Sequence, residues 1–343
     1  MTEDKPLVLL HPAPKKLERL FDGDTWQLFQ EEFNVVNFEA TPDEAMFDRL
    51  LPDAFAIVGQ PDLPVDRLKV ATKLKALVNV EGNFFPNVDY PTAFRQGVRV
   101  LGSGPAYADA VAEMSLGFAL DLARGISRED RAFRQGAEVY VGNTADSVLL
   151  KNSTIGFIGF GNIGRALQRI LAPFRAEMRA FDPWLPDAIL EESGVQPSTL
   201  EETLQSSQFV FVLATATESS KQLLSQPKLD LLQDGARLIV VSRASVVDFD
   251  ALLGQVASGR IFASIDVWPE EPVALDHRAR HIEGLVLSPH RAGGIPQAYL
   301  SIGRMVLDDL KLIRRGLPPA RLQIAAPELV GRYRNMAARV VAR

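Results

Sequence analysis

Cysteine is absent from the chain, which removes disulfides, thiolate metal sites and cysteine nucleophiles together. Histidine is scarce. His11, His277, His281 and His290 are the only side chains whose ordinary titration falls near neutral pH, so acid/base candidates are few. No stretch approaches the ~18 consecutive apolar residues that a membrane span requires. No block of Lys or Arg gathers on one segment, and the net charge of −6 leaves no electrostatic footprint for nucleic acid or an anionic membrane. The polar, acidic start, Met1 to Pro6, lacks the positive and apolar regions of a secretory signal, so a cytoplasmic location is expected. Nothing calls for a metal, and a small molecule is the expected partner.

At 343 residues the chain exceeds what one hydrophobic core usually supports, so two domains are expected. A hydrophobic share of 47% and a charged share of 23% match an average soluble globular protein. Apolar runs that read as buried strands recur at Leu7–Leu10, Ala56–Val58, Ala76–Val80 and Val98–Leu101, with helical patterns between them. A second series runs through Ser153–Ile158, Met178–Phe181, Phe209–Leu213, Leu238–Val241, Ala263–Val267 and Leu285–Leu287. Uninterrupted apolar strands alternating with helices predict α/β architecture, with two doubly wound parallel sheets covered on both faces. A long apolar helical pattern, Ala108 to Arg124, has few solvent-facing positions and is expected to bridge the domains. Another, Ala298 to Arg315, follows the last strand and stops at Gly316-Leu317-Pro318; if it packs back on the first domain, that domain is discontinuous. The tail from Pro319 to Arg343 carries five arginines and a weak helical pattern, read as an exposed terminal helix or an oligomer contact.

Gly159-Phe160-Gly161-Asn162-Ile163-Gly164 forms G-x-G-x-x-G between the run Ser153–Ile158 and an amphipathic helical run, Ile163 to Phe174. In that setting each glycine has a mechanical reason. Gly159 makes the tight turn, Gly161 lets the backbone approach a pyrophosphate, and Gly164 allows close helix–strand packing. The helix N-terminus adds unpaired N–H groups and positive dipole for the phosphates. Asp182 stands eighteen residues beyond Gly164, at the end of Met178–Phe181, where an acid accepts both ribose hydroxyls and repels a 2′-phosphate. NAD is therefore expected over NADP. Arg179 would favour NADP, but within a strand it faces away from the ribose edge.

Among the histidines, His290 follows Leu285–Ser288 and precedes Arg291-Ala292-Gly293, which puts it at the carboxyl end of a strand, where open α/β sheets bind ligands. His11 sits beside Pro12 and Pro14 and reads as structural, while His277 and His281, in a polar stretch, read as surface residues. Two further polar residues follow strands: Arg243 after Leu238–Ser242 and Glu271 after Ala263–Trp268. Reduction of a 2-oxo acid needs a cation to hold the carboxylate and polarise the carbonyl, and a proton donor beside the carbonyl oxygen. Arg243 and His290 fit those roles. A carboxylate within hydrogen-bond distance of an imidazole fixes its tautomer and favours its protonated form, and Glu271 fits that role.

These residues together resemble the D-isomer-specific 2-hydroxyacid dehydrogenases, a family that includes phosphoglycerate, D-lactate and glyoxylate/hydroxypyruvate enzymes. The likeness covers most of the chain. It is carried by Val111-Ala112-Glu113 through Arg124, by Gly156–Gly164, by Val240–Asp248, and by Asp266-Val267-Trp268-Pro269-Glu270-Glu271-Pro272 followed by Ser288–Gly293. The resemblance implies an NAD-binding Rossmann domain, 107–297, inserted into a flavodoxin-like substrate domain, 1–106 and 298–343, with a cleft between them and a homodimer formed through the NAD domains. It implies Arg243 as the substrate-binding arginine, Glu271 rather than Glu270 as the partner of the histidine, and His290 as acid/base. Asp266 would contact the nicotinamide carboxamide, and Thr215 and Gly293 would join the cofactor site.

Departures from the family pattern gather where substrate is read. The loop that runs G-x-G-x-D-N-x-D in the family is here Gly82-Asn83-Phe84-Phe85-Pro86-Asn87-Val88-Asp89, with Phe84 in place of the second glycine. The N–H groups of Asn83 and Phe84 would still donate to a carboxylate. Tyr107 stands where the family has an asparagine near substrate, the H-x-P-x-T segment reads Leu213-Ala214-Thr215-Ala216-Thr217, and the Arg-Gly pair reads Arg243-Ala244. Phe84, Phe85 and Tyr107 point to an aromatic or extended substrate. Two other functions share the fold: an NAD(H)-sensing protein, since some relatives act mainly as transcriptional co-repressors, and oxidation of formate or phosphite. Formate enzymes place Gln beside the histidine, so Glu271 argues against formate; phosphite stays open.

Overall fold

The computed structural model describes residues 5–40, 43–140 and 146–330. The acidic first four residues and the arginines of the tail beyond residue 330 lie outside the described residues. The chain divides into two compact units, one formed by residues up to Tyr107 and from Gly294 onward, the other by Ala108–Gly293. The helix Gly104–Arg124 starts in the first and continues into the second.

In the first unit, the strands β1 (Leu7–His11), β2 (Asn34–Asn37), β3 (Ala54–Gly59), β4 (Ala76–Asn79) and β5 (Arg99–Gly102) are ordered 2-1-3-4-5 and pair in parallel. That order is flavodoxin-like, with the direction of winding reversing between β1 and β3. Strand residues alternate between two buried faces. Val8, Leu10, Ala56, Val58 and Val78 pack with Phe29, Ile302, Val306 and Leu310, while Leu9, Ile57, Leu77 and Val100 pack with Phe47, Leu51 and Leu68. Burial on both faces is why the sequence shows unbroken apolar runs. β2 escapes that criterion, because Asn34 and Asn37 flank only two valines on an edge strand.

A short strand, Gln323–Ile324, closes the other edge in antiparallel register with Leu101 and Gly102. The described part of the tail is therefore strand and a single helical turn, Pro327–Val330, rather than one terminal helix. Asp309 makes this return possible. Fully buried on the helix Pro296–Arg314, its carboxylate accepts hydrogen bonds from the N–H groups of Ala320 (2.7 Å), Arg321 (3.0 Å) and Leu322 (2.7 Å).

The second unit contains β6 (Thr154–Ile158), β7 (Glu177–Phe181), β8 (Gln196–Pro197), β9 (Phe209–Val212), β10 (Arg237–Val240), β11 (Phe262–Ile265) and β12 (Leu285–Leu287). They pair only in parallel, in the order 8-7-6-9-10-11-12. This is the Rossmann order with one strand added, and winding reverses between β6 and β9. All seven carboxyl ends therefore leave by one edge. On one face, Ile158, Val210, Val212, Leu238, Val240 and Ile265 pack against Leu204, Leu229, Leu252 and Val256.

Candidate functional site

The turn after β6 has the geometry its glycines suggest. Gly159 takes φ +90°, and a β-carbon there would lie 2.8 Å from the backbone of Ala214 after β9, so only glycine fits. At Gly161, by contrast, a β-carbon would meet nothing within 4 Å, which leaves open space beside the backbone. The helix Asn162–Leu171 begins there without a side-chain cap, so its first N–H groups are left for an anion. Gly164 is close-packed, with Phe160 3.1 Å from the position of a β-carbon.

Asp182, just past β7, accepts from Phe160 N–H (2.7 Å) and Trp184 N–H (2.9 Å), which fastens it to the glycine turn. Arg179 lies close enough to Glu202, on the helix Leu200–Ser206, for its charge to help lower that carboxyl's pKa, an effect led by hydrogen bonds from Thr199. Thr215 follows β9, across the winding reversal from Gly159; its carbonyl accepts from Ser220 Oγ (2.7 Å). These features, an uncapped helix end over open backbone with an acid bound to the turn, fit a dinucleotide.

The ends of β11 and β12 carry Glu271 and His290. The two strands are parallel neighbours, so the segments beyond Ile265 and Leu287 run side by side. His290 N–H donates to Asp266 C=O at 2.8 Å. His290 adopts φ +54°, a left-handed conformation that few residues other than glycine take up. The turn is held by the Asp266 carboxylate, only 1% exposed, which accepts from Ser288 Oγ (2.5 Å), Arg291 N–H (2.8 Å) and Ala292 N–H (3.1 Å). Gly293 follows directly.

His290 Nδ1 lies 2.9 Å and 3.0 Å from the two carboxylate oxygens of Glu271. A carboxylate only accepts, so Nδ1 is the donor and Nε2 is the nitrogen free to exchange a proton. Trp268 N–H donates to the same carboxylate at 3.0 Å. Arg243 leaves from β10, the next strand of the edge; it is exposed and donates from Nη1 to Ser242 C=O at 2.7 Å. The structure thus brings Glu271 and His290 into contact and starts Arg243 from the adjoining strand.

The other histidines differ from this one. His11 packs among Phe38 and Phe47, in keeping with a structural part. His281 is exposed. His277, expected on the surface, is half-buried instead: its ring meets Trp268 edge-on at 5.9 Å, and its Nδ1 accepts from Ala279 N–H at 3.3 Å. Among the described residues no cluster of His, Asp and Glu suited to a metal occurs, and no helix is long and apolar enough to cross a membrane.

In the first unit, Gly82 and Asn83 follow β4 at its carboxyl end and are half-buried. Phe84, expected to shape a substrate pocket, lines a cavity with Phe85, Pro86, Asp89 and Tyr90, though little of its ring is exposed. The ring is 5% exposed and lies in the core with Leu63, Val88, Tyr90 and Ala93, in the space Gly102 leaves by lacking a side chain. Tyr107 lies over Gly82, donates to Val80 C=O at 3.2 Å and meets Tyr299 edge-on at 6.1 Å. Burial, reinforced by the charge of Glu81, pushes the Tyr107 phenol pKa well up.

Sequence reasoning passed over a cation here. Lys15 pairs with Glu81 at 2.8 Å, and its ammonium sits 5.0 Å above the Tyr299 ring. It also passed over Trp268 and Ser288. Their signal was an indole next to a strand end, a donor that needs a partner when buried.

The family model of the D-isomer specific 2-hydroxyacid dehydrogenase NAD binding domain matches residues 116–292. A crystal structure of a phosphoglycerate oxidoreductase from Rhizobium etli superposes with a TM-score of 0.87 at 41% identity, covering 94% of this chain and 99% of that one. The hydroxypyruvate reductase of Thermotoga maritima is 26% identical over 84% of this chain and 94% of its own length. The D-3-phosphoglycerate dehydrogenase of Archaeoglobus fulgidus is 24% identical over 78% of this chain, and the match spans 50% of that longer protein.

Proposed function

The chain belongs to the D-isomer specific 2-hydroxyacid dehydrogenases and is an NAD-dependent oxidoreductase, and on that premise we propose how its own residues divide the interconversion of a 2-oxo acid and a D-2-hydroxy acid. Bound NAD(H) supplies the hydride chemistry at the carbinol carbon. Gly159, Gly161, Asn162, Ile163 and Gly164 hold the pyrophosphate on backbone N–H groups, and Asp182 takes the ribose hydroxyls, which favours NAD over NADP. Thr215 and Gly293 complete the cofactor site. Asp266 already accepts three hydrogen bonds, two on one oxygen and one on the other. A carboxylate offers roughly four lone-pair sites, so one is left for a carboxamide donor.

Arg243 binds the substrate carboxylate and polarises the carbonyl, and Gly82 and Asn83, on the loop after β4, are assigned to substrate binding. In reduction, His290 gives its Nε2 proton to the carbonyl oxygen as charge develops there; in oxidation Nε2 takes the hydroxyl proton. Glu271 keeps Nδ1 protonated and the ring oriented. The observation that carries this reading is the 2.9 Å contact of Glu271 with His290 Nδ1.

The substrate is a 2-oxo acid. With Phe84 in the core, Tyr107 is the stronger remaining argument for a larger substituent. A second copy of the chain is the expected partner. Exposed apolar side chains concentrate in one segment of the second unit, at Ile126 (57%), Phe133 (60%), Tyr140 (81%) and Leu149 (67%), a surface suited to a homodimer. Steady-state assays with NADH and a panel of 2-oxo acids, with chiral analysis of the product, test the reading. Turnover to a D-2-hydroxy acid is expected; tight NADH binding without turnover of any panel member would make the protein a sensor instead.

A further inference from the structure

We propose that Trp268 is a positioning residue for the His290–Glu271 pair, tying together the two strand ends that carry its halves. The inference rests on the reading of His290 as acid/base. It starts from chain geometry: Glu271 hangs from the segment after β11 and His290 from the segment after β12, and neither segment is regular structure. The segments are joined at their roots, where Ser288 N–H donates to Ile265 C=O at 2.9 Å and His290 N–H to Asp266 C=O at 2.8 Å, but Glu271 stands five residues beyond Asp266 and needs a further tie.

Trp268 reaches both. Its main-chain N–H donates to Glu271 Oε1 at 3.0 Å, and its indole N–H donates to Ser288 C=O at 2.9 Å, two residues before His290. The indole is 9% exposed and is packed between Phe249 (6.2 Å between ring centres) and His277 (5.9 Å), so its direction is fixed by neighbours. A phenylalanine in its place fills much of the same apolar space and leaves the buried Ser288 carbonyl without that donor. The Asp266 carboxylate grips the same loop by Ser288 Oγ, Arg291 N–H and Ala292 N–H, so Trp268 removes a remaining freedom, the swing of the loop relative to Glu271. A left-handed residue such as His290 persists only where its surroundings over-determine it, and Trp268 is part of that constraint.

Loss of the indole donor alone should lower kcat about tenfold, well short of the roughly hundredfold that a full 1 Å misplacement can cost. For Trp268→Phe, KM for the 2-oxo acid and the Kd for NADH should stay within about twofold, because neither ligand touches the indole in this reading. A benzothienylalanine at position 268 keeps the bicyclic ring and removes only the N–H, so it serves if the phenylalanine variant folds poorly. The decisive measurement is a double-mutant cycle with Glu271→Gln. If Trp268 acts through the pair, its effect on kcat shrinks once the carboxylate is gone; a purely structural role gives additive losses. Additive losses, or an unchanged kcat in both Trp268 variants, overturn the proposal. His290→Ala separates this from the underlying reading: an unchanged rate there refutes the acid/base assignment itself, whatever Trp268 does.

Discussion

At the carboxyl edge of the β6–β12 sheet, the side chains that leave the strands bind one another: Asp182 the glycine turn, Asp266 the loop of His290, and Glu271 the imidazole. The loop that follows β4 in the other sheet behaves differently. There, Phe84 packs its ring against the core, and the polar contacts nearby are the Lys15–Glu81 pair and the Tyr107 hydroxyl. Both sheets are doubly wound and parallel but for the short edge strand Gln323–Ile324, so architecture does not explain the contrast. The difference is one of constraint. A hydrogen-bonded group at a strand end has partners of fixed chemistry, whereas a loop glycine can be replaced by a large apolar residue wherever a neighbouring glycine, here Gly102, leaves room.

The sharpest break between the regions should be His290→Ala. Removing a general acid/base lowers kcat by ~10²–10⁴-fold, and NADH binding, followed by fluorescence titration, should persist. Gly159→Ala comes next. A side chain there meets the Ala214 backbone at 2.8 Å in a φ +90° conformation. A loss of about 2–3 kcal/mol in stability and a tenfold or greater weakening of NADH binding are expected, measured by denaturant unfolding and titration.

Phe84→Leu tests the other side of the comparison. It should cost about 1–2 kcal/mol of stability as a core truncation and leave the ranking of 2-oxo acid substrates unchanged. An altered ranking would return the ring to substrate recognition. The smallest effect belongs to Asp22. Hydrogen bonds from Thr25, then the guanidinium of Arg304, hold its carboxyl at about 2, below the ordinary 3.8. The ionised form therefore stabilises the folded state above the ordinary value, and the benefit fades as pH falls toward 2. Asp22→Asn should lower the thermal midpoint slightly at neutral pH, with the gap narrowing in acid.

Much of this was legible in sequence because the signals are local. A strand buried on both faces reads as an apolar run, a dinucleotide turn as spaced glycines between a strand and a helix, and the histidine that meets Glu271 as the residue just past a strand. The edge strands Asn34–Asn37, Gln196–Pro197 and Gln323–Ile324 were not legible, since they are short and polar, whereas the apolar edge strand Leu285–Leu287 was. Their pairing is decided by what lies beside them.

From its sequence alone, then, the protein is a two-sheet α/β chain with a dinucleotide turn and a histidine at a strand end, because burial pattern and turn chemistry act within a few residues. Only the tertiary structure decided that the Phe84 ring enters the core, that Asp309 gathers the N–H groups of residues 320–322 and returns the chain to β5, and that Trp268 bridges to Ser288 beside a left-handed His290. Each of those depends on a partner that the fold brings near from elsewhere in the chain. No periodicity in a linear sequence records such a meeting.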